Sequence, residues 1–109
     1  MKKNDTVFLQ HILEAINQIE VYTSNVSYEQ FLQERLLQDG VVRQLEIIGE
    51  ASRNLSTDFR DQHPEISWRQ IIGLRNRVVH AYFELNLTII WEVVENDLPV
   101  LKQGLEQLV

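Results

Sequence analysis

The 109-residue chain contains no cysteine. Disulfides and thiolate metal sites are therefore excluded. No apolar run approaches the roughly 18–20 residues that a bilayer-crossing helix needs. The opening Met1-Lys2-Lys3-Asn4-Asp5 is followed by mixed polar and apolar residues, without the apolar core of a signal peptide. A cytoplasmic protein with no membrane partner is expected. Positive charge is scarce: 10 Lys and Arg stand against 16 Asp and Glu, a net charge of −6. Binders of long nucleic acids usually carry a basic excess, because phosphate contacts release counterions. Any nucleic-acid contact here must be local, or must use a surface built from two chains. Several motifs are also missing. There is no His-Glu-x-x-His or Glu-x-x-His, so zincin and di-iron bundle sites are unsupported. There is no glycine-rich phosphate loop and no nucleophile elbow. Glu92 and Glu95 could face a hard cation, but carboxylates at that spacing on a helix are ordinarily solvated.

What is present fits one all-α domain over residues 1–109. Apolar residues make up 44% of the chain and charged residues 24%, enough for a single packed core and too balanced for disorder. The apolar period is helical throughout. A first helix is predicted over Thr6–Thr23, capped by Asn4 or Asp5, with Phe8, Leu9, Ile12, Ile16 and Ile19 on one side. Ser27-Tyr28-Glu29-Gln30 has capping-box spacing and opens a short helix. A long helix follows over about 33–55. Leu37, Val41, Val42, Leu45, Ile48, Ser52 and Leu55 share one arc, while Leu36, Ile47 and Ala51 fall on another. Two apolar sides predict burial in mid-bundle or in an interface with another chain. Asp39, Arg43, Glu46, Glu50 and Arg53 form a charged stripe between them. Residues 56–63 are polar with room for one helical turn. Ser67-Trp68-Arg69-Gln70 repeats the capping-box spacing before a helix ending near Tyr82. Asn86 caps a last helix, in which Pro99 predicts a kink or break near Asn96. Four main helices with short connections predict an antiparallel bundle.

The run Arg75-Asn76-Arg77-Val78-Val79-His80-Ala81-Tyr82 is the unusual part. On a helical wheel Arg75 sits in the middle of an apolar arc formed by Trp68, Ile71, Ile72, Leu74, Val78 and Val79. Arginine is rarely buried unpaired, so either Glu46 or Glu50 is its expected partner, or the arc opens at an anion. Arg69, Gly73, Asn76 and His80 form a second stripe within about 60° of one another. An interior helical glycine costs about 1 kcal/mol against alanine. Close approach by another backbone or a ligand would account for Gly73; an incidental glycine on a solvated face is the plain alternative. His80 can exchange a proton near neutrality. His11 and His63 have no comparable neighbours.

Arg75-x4-His80-x-Tyr82 resembles the signature of HEPN-domain proteins, and of the HepT-like toxins in particular. Leu37-Gln38-Asp39, Ile47-Ile48-Gly49-Glu50-Ala51 and His63-Pro64-Glu65-Ile66-Ser67-Trp68 are similar to that family as well. So are Ile71-Ile72-Gly73-Leu74-Arg75-Asn76 and Trp91-Glu92 with Asp97-Leu98-Pro99. The resemblance implies a four- or five-helix bundle that pairs as a homodimer, with Arg75 and His80 of both subunits lining a cleft on the two-fold axis. It implies metal-independent RNA cleavage without a cofactor. It also implies a toxin role beside an MntA-like nucleotidyltransferase antitoxin, which attaches AMP to Tyr82.

On this reading His80 serves as general base or acid and Arg75 holds the phosphate. Asn76 orients His80 or a phosphate oxygen, and Arg69 and Arg77 are accessory phosphate contacts. Tyr82 is otherwise expected to pack at the helix end with its hydroxyl in solvent. Two other readings stay open. One is a non-catalytic nucleotide- or partner-binding subunit of a nucleotidyltransferase complex; the other is a structural helical adaptor.

Overall fold

A computed structural model describes residues 3–108. Met1, Lys2 and Val109, the ends of the expected 1–109 domain, lie outside the described residues, as does the start of the reading that found no leader. The elements are α1 (Lys3–Thr23), α2 (Tyr28–Gln33), α3 (Arg35–Asn54), α4 (Thr57–Gln62), α5 (Trp68–Phe83) and α6 (Leu87–Glu92). A π-turn over Val93–Asp97 then leads into α7 (Leu98–Glu106). All regular structure among the described residues is helical, as the apolar period predicts. No helix among them is long and apolar enough to cross a membrane.

The four long stretches are α1, α3, α5 and the α6–α7 run, and contacts at both ends fix their directions. Asp5 meets Ser56 and Tyr22 meets Gly40, so α1 and α3 are antiparallel. Asp39 meets Tyr82 and Glu50 meets Arg75, so α3 and α5 are antiparallel. Arg77 meets Asp97 and Ile66 meets Gly104, which sets α7 against the start of α5. Thus α3 is the central helix, packed on α1 and α5. Its first apolar arc is buried through Val41, Val42, Leu45, Ile48, Ser52 and Leu55. The second side is mixed: Ala51 is buried, Ile47 is half-buried, and Leu36 is 86% exposed.

Three local expectations change. α1 begins at Lys3, so Asp5 lies inside the helix and not at its cap. Its buried carboxylate instead accepts bonds from Ser56 N and Ser56 Oγ, both at 2.7 Å. Two donors satisfy a buried carboxylate better than exposed helix ends can. The capping box at Ser27 forms in full, with Gln30 N bonded to Ser27 Oγ and Ser27 N to Gln30 Oε1. The one at Ser67 does not. Trp68 N bonds to Ile66 O at 2.8 Å, and Ser67 lies at φ −79°, ψ 65°. That is an inverse γ-turn, which takes Ser67 out of the extended geometry a side-chain cap requires.

The break expected near Asn96 is the π-turn. Pro99 lacks an N–H, and its ring would clash with the carbonyl four residues back in a regular helix. The chain widens ahead of it, and Leu98 N bonds to Val93 O, five residues back. At the other side of the bundle, α2 clamps α6. Phe31 and Trp91 rings lie 5.0 Å apart, and Tyr28 shares a 2.6 Å hydroxyl bond with Thr88. Gln38 Nε2 donates to Phe31 O, tying α2 to α3.

Candidate active site

α5 carries the site, and its core side orients everything else. Trp68, Leu74, Val78 and Ala81 are buried, and Trp68 Nε1 donates to His63 O at 2.9 Å, fixing the entry to the helix. α5 comes close to α3 at Gly49. A Cβ there would stand 3.1 Å from both the backbone nitrogen and the Cβ of Arg75. Glycine at this crossing lets the two backbones come close and sets Arg75 beside Glu50.

Arg75 is not sealed in the core. Its side chain is 45% exposed, and Nε lies 3.3 Å from Glu50 Oε1. Glu50, and not Glu46, is therefore its partner. Arg75 Nη1 also donates to Asn76 Oδ1 at 3.2 Å. Asn76 is thus engaged with the guanidinium and not with His80. His80 projects outward with 76% of its side chain exposed, and Glu84 Oε1 lies 2.7 Å from its Nε2. Arg75 and His80 are separated by about 140° around the helix, with Asn76 between them. A single chain does not bring the guanidinium and imidazole together on one point.

Tyr82 faces α3. Its hydroxyl donates to Asp39 Oδ1, with Arg35 nearby. The hydroxyl is not left to solvent, contrary to the expectation for a tyrosine at a helix end. Its pKa is raised, first by burial, then by the hydrogen bond to Asp39 and that carboxylate's charge; Arg35 opposes the shift.

The remaining candidates disperse. Arg69 is exposed and has no ion pair among the described residues. Arg77 pairs with Asp97 of the π-turn at 3.7 Å, along a cleft of about 410 Å³ between the start of α5 and α7. That cleft does not include Arg75, Asn76, His80 or Tyr82. Among the described residues, nothing beyond the helix's own adjacent backbone lies within 4 Å of where a Gly73 Cβ would stand, so no other described part of the same chain explains that glycine. Glu92 and Glu95 belong to no metal-holding cluster among the described residues.

Three contributors escaped the sequence reading. Asp39 was visible only as one charge in a stripe. Glu84 is four residues after His80, the spacing of a helical ion pair. Phe83 extends the stripe Arg69, Gly73, Asn76, His80 by its next step and is 87% exposed.

A family model described as ribonuclease HepT-like matches residues 12–108. A protein of Thermococcus cleftensis named as a probable ribonuclease HepT is 43% identical over 108 residues, covering 99% of this chain and 98% of its own. A candidate RNase of Methanocaldococcus jannaschii is 38% identical, covering 97% and 98%. Another, from Caldanaerobacter subterraneus, is 35% identical, covering 97% and 95%. No solved structure gives a significant match. With the match running through all the helices and the Arg75–Tyr82 run inside it, the chain belongs to the ribonuclease HepT-like family.

Proposed function

We propose that two copies of this chain form a ribonuclease that cleaves RNA at a cleft shared between their α5 helices. The carrying observation is the outward placement of His80, away from the Arg75 of its own chain. Each chain brings one imidazole to α5, while cyclising cleavage needs a base and an acid. A second copy supplies the missing group.

In the proposed reaction the 2′-hydroxyl loses its proton to one His80, and its oxygen attacks the adjacent phosphorus. The bond to the 5′-oxygen breaks, and that oxygen takes a proton from the partner subunit's His80. A cyclic phosphate and a 5′-hydroxyl result. Within each chain, Glu84 beside Nε2 favours the tautomer with its proton there, leaving Nδ1 as the lone-pair base. Arg75 neutralises charge growing on the phosphate, with its guanidinium aimed by Asn76 and Glu50. Arg69 and Arg77 are accessory contacts, Arg77 only after release from Asp97. Two histidines account for both proton transfers, so no metal ion is needed.

Tyr82 is the proposed control point, in keeping with a toxin held in check by an MntA-like nucleotidyltransferase. AMP on its hydroxyl breaks the bond to Asp39 and places a second negative charge beside that carboxylate, on the α3–α5 seam that also carries Arg75. The rival reading, a subunit that binds nucleotide or partner without cleaving, draws on Arg75, Arg77 and His80 each having a carboxylate within the same chain.

Purified protein incubated with RNA in EDTA separates the two. Cleavage persists, and His80→Ala lowers it by roughly 10²–10⁴-fold. Unchanged cleavage in that variant assigns the activity to a contaminant, and no cleavage by the wild type favours the binding subunit. Incubation with the nucleotidyltransferase and ATP raises the intact mass by AMP units; Tyr82→Phe abolishes the rise unless the modified site is elsewhere.

A further inference from the structure

Phe83 has no role in the fold. It is 87% exposed, makes no ring contact among the described residues and is absent from the core cluster. Yet its backbone is firmly held. Glu84 N bonds to His80 O, Leu85 N to Tyr82 O and Asn86 N to Ala81 O at 2.7 Å, which closes the helix end as a Schellman motif. Leu85 takes the left-handed position of that motif at φ 59°, where glycine is usual. The last turn of α5 therefore presents an aromatic ring to solvent from a fixed base.

The position of the ring matters more than its exposure. Arg69, Gly73, Asn76, His80 and Phe83 follow spacings of 4, 3, 4 and 3, one continuous stripe on α5. Phe83 stands one turn beyond His80, with Cβ atoms about 5–6 Å apart at that spacing. Its neighbour Tyr82 is turned the other way, onto Asp39.

Charge then decides what such a ring would hold. The chain carries a net charge of −6, and Arg75 and Arg77 already have carboxylate partners. Few phosphates can be neutralised, so a substrate at His80 must be gripped largely through its bases. Single-stranded RNA exposes bases that stack on aromatic side chains, and stacking needs no cation. Beyond the second copy that shares the cleft, a protein partner for the ring is the weaker fit, because the stripe around Phe83 is Asn, His and Glu, whereas the centre of a protein interface is depleted in charge.

We propose that Phe83 is the stacking platform that seats one base of single-stranded RNA beside His80, bringing the adjoining phosphate to the imidazole. This rests on the ribonuclease reading and makes Phe83 a positioning residue for it. Because Phe83 lies outside the core, Phe83→Leu keeps the fold and an apolar surface but removes the aromatic face; Phe83→Trp keeps that face. The binding probe is a short single-stranded 2′-O-methyl RNA carrying 2-aminopurine, which cannot be cleaved. Wild type and Phe83→Trp quench its fluorescence, and Phe83→Leu weakens binding by roughly 5–100-fold, the range of one lost base stack. With cleavable RNA, Phe83→Leu raises KM by a similar factor, leaves kcat within about twofold, and is rescued by Phe83→Trp.

Equal binding and KM in Phe83→Leu overturn the proposal, as does a wild type that gives no binding. A Phe83→Leu variant that changes subunit mass in light scattering also overturns it, because the ring then belongs to a protein interface. Failure of the ribonuclease reading shows separately, as cleavage indifferent to His80→Ala, while the uncleavable probe still reports on Phe83.

Discussion

Along α5 four of the five ionisable groups are held in pairs: Arg75 with Glu50, Tyr82 with Asp39, Arg77 with Asp97 and His80 with Glu84. For Tyr82 the pairing has a pH signature. Its folded-state pKa lies above the ordinary value of 10.0. The stability tied to that shift is fully present below the unfolded pKa and is lost as pH rises through the folded one. From about pH 9 to about pH 11 the urea midpoint of the wild type should therefore fall more than that of Tyr82→Phe. A parallel fall would mean that Tyr82 is not the titrating group. Asp5→Ala should cost about 2 kcal/mol in urea unfolding, since it strips a buried acceptor from two Ser56 donors. At this scale the sequence was only partly legible. Arg75, Asn76, His80 and Tyr82 stood out by residue type and spacing. Their partners on other helices did not, because 43 residues separate Asp39 from Tyr82 and helical period carries no information on inter-helix register. Even Glu50 could be narrowed only to one of two glutamates.

Helix ends and crossings give the next set of expectations. Leu85→Gly should stabilise the protein by about 1 kcal/mol, because glycine fits the left-handed position and little burial is lost from a side chain that is 75% exposed. A lower unfolding midpoint would mean that Leu85 is covered in solution. Two glycine substitutions should diverge. Gly49→Ala drives a methyl against the Arg75 backbone and should destabilise by about 1–3 kcal/mol, loosening the Glu50 contact with it. Gly73→Ala meets open space and should stabilise an isolated chain by up to about 1 kcal/mol. A loss there points to a second chain or ligand crossing at that spot. Helix existence and faces were largely legible from period alone: in α3 six of the seven residues of the first arc are buried and Leu37 is half-buried, while the buried Gln38 and Gly49 fell outside both apolar sides. Cap chemistry was legible only where the backbone cooperates: Ser27 and Ser67 share a motif, but the γ-turn at Ser67 is set by the docking of Trp68.

For the whole molecule, light scattering should give twice the 12.8 kDa of one chain; a monomer at working concentration would remove the shared cleft. RNA binding should also depend weakly on salt. With Arg69, Arg75 and Arg77 as the phosphate contacts of one chain, log K against log salt should slope no more steeply than about −2 per chain. A much steeper slope would reveal a basic surface that the composition does not suggest. The bundle itself was legible from its four long apolar stretches, whereas the expected homodimer rests on the family resemblance alone, because an exposed stripe reads alike whether water or a second copy covers it. The π-turn ahead of Pro99 has one further consequence, for length variation. A π-turn accommodates one residue more than a regular turn would. Removing Glu95, which is exposed, should take out the extra residue while Leu98, Leu101 and Leu105 keep their bearing on the core, with Pro99 then leaving a kink in place of the wide turn. The same single-codon deletion within α3 would swing everything after it by about 100°. Tolerance of shortening should therefore concentrate in that stretch of the last helix, where the reading frame of the fold has slack.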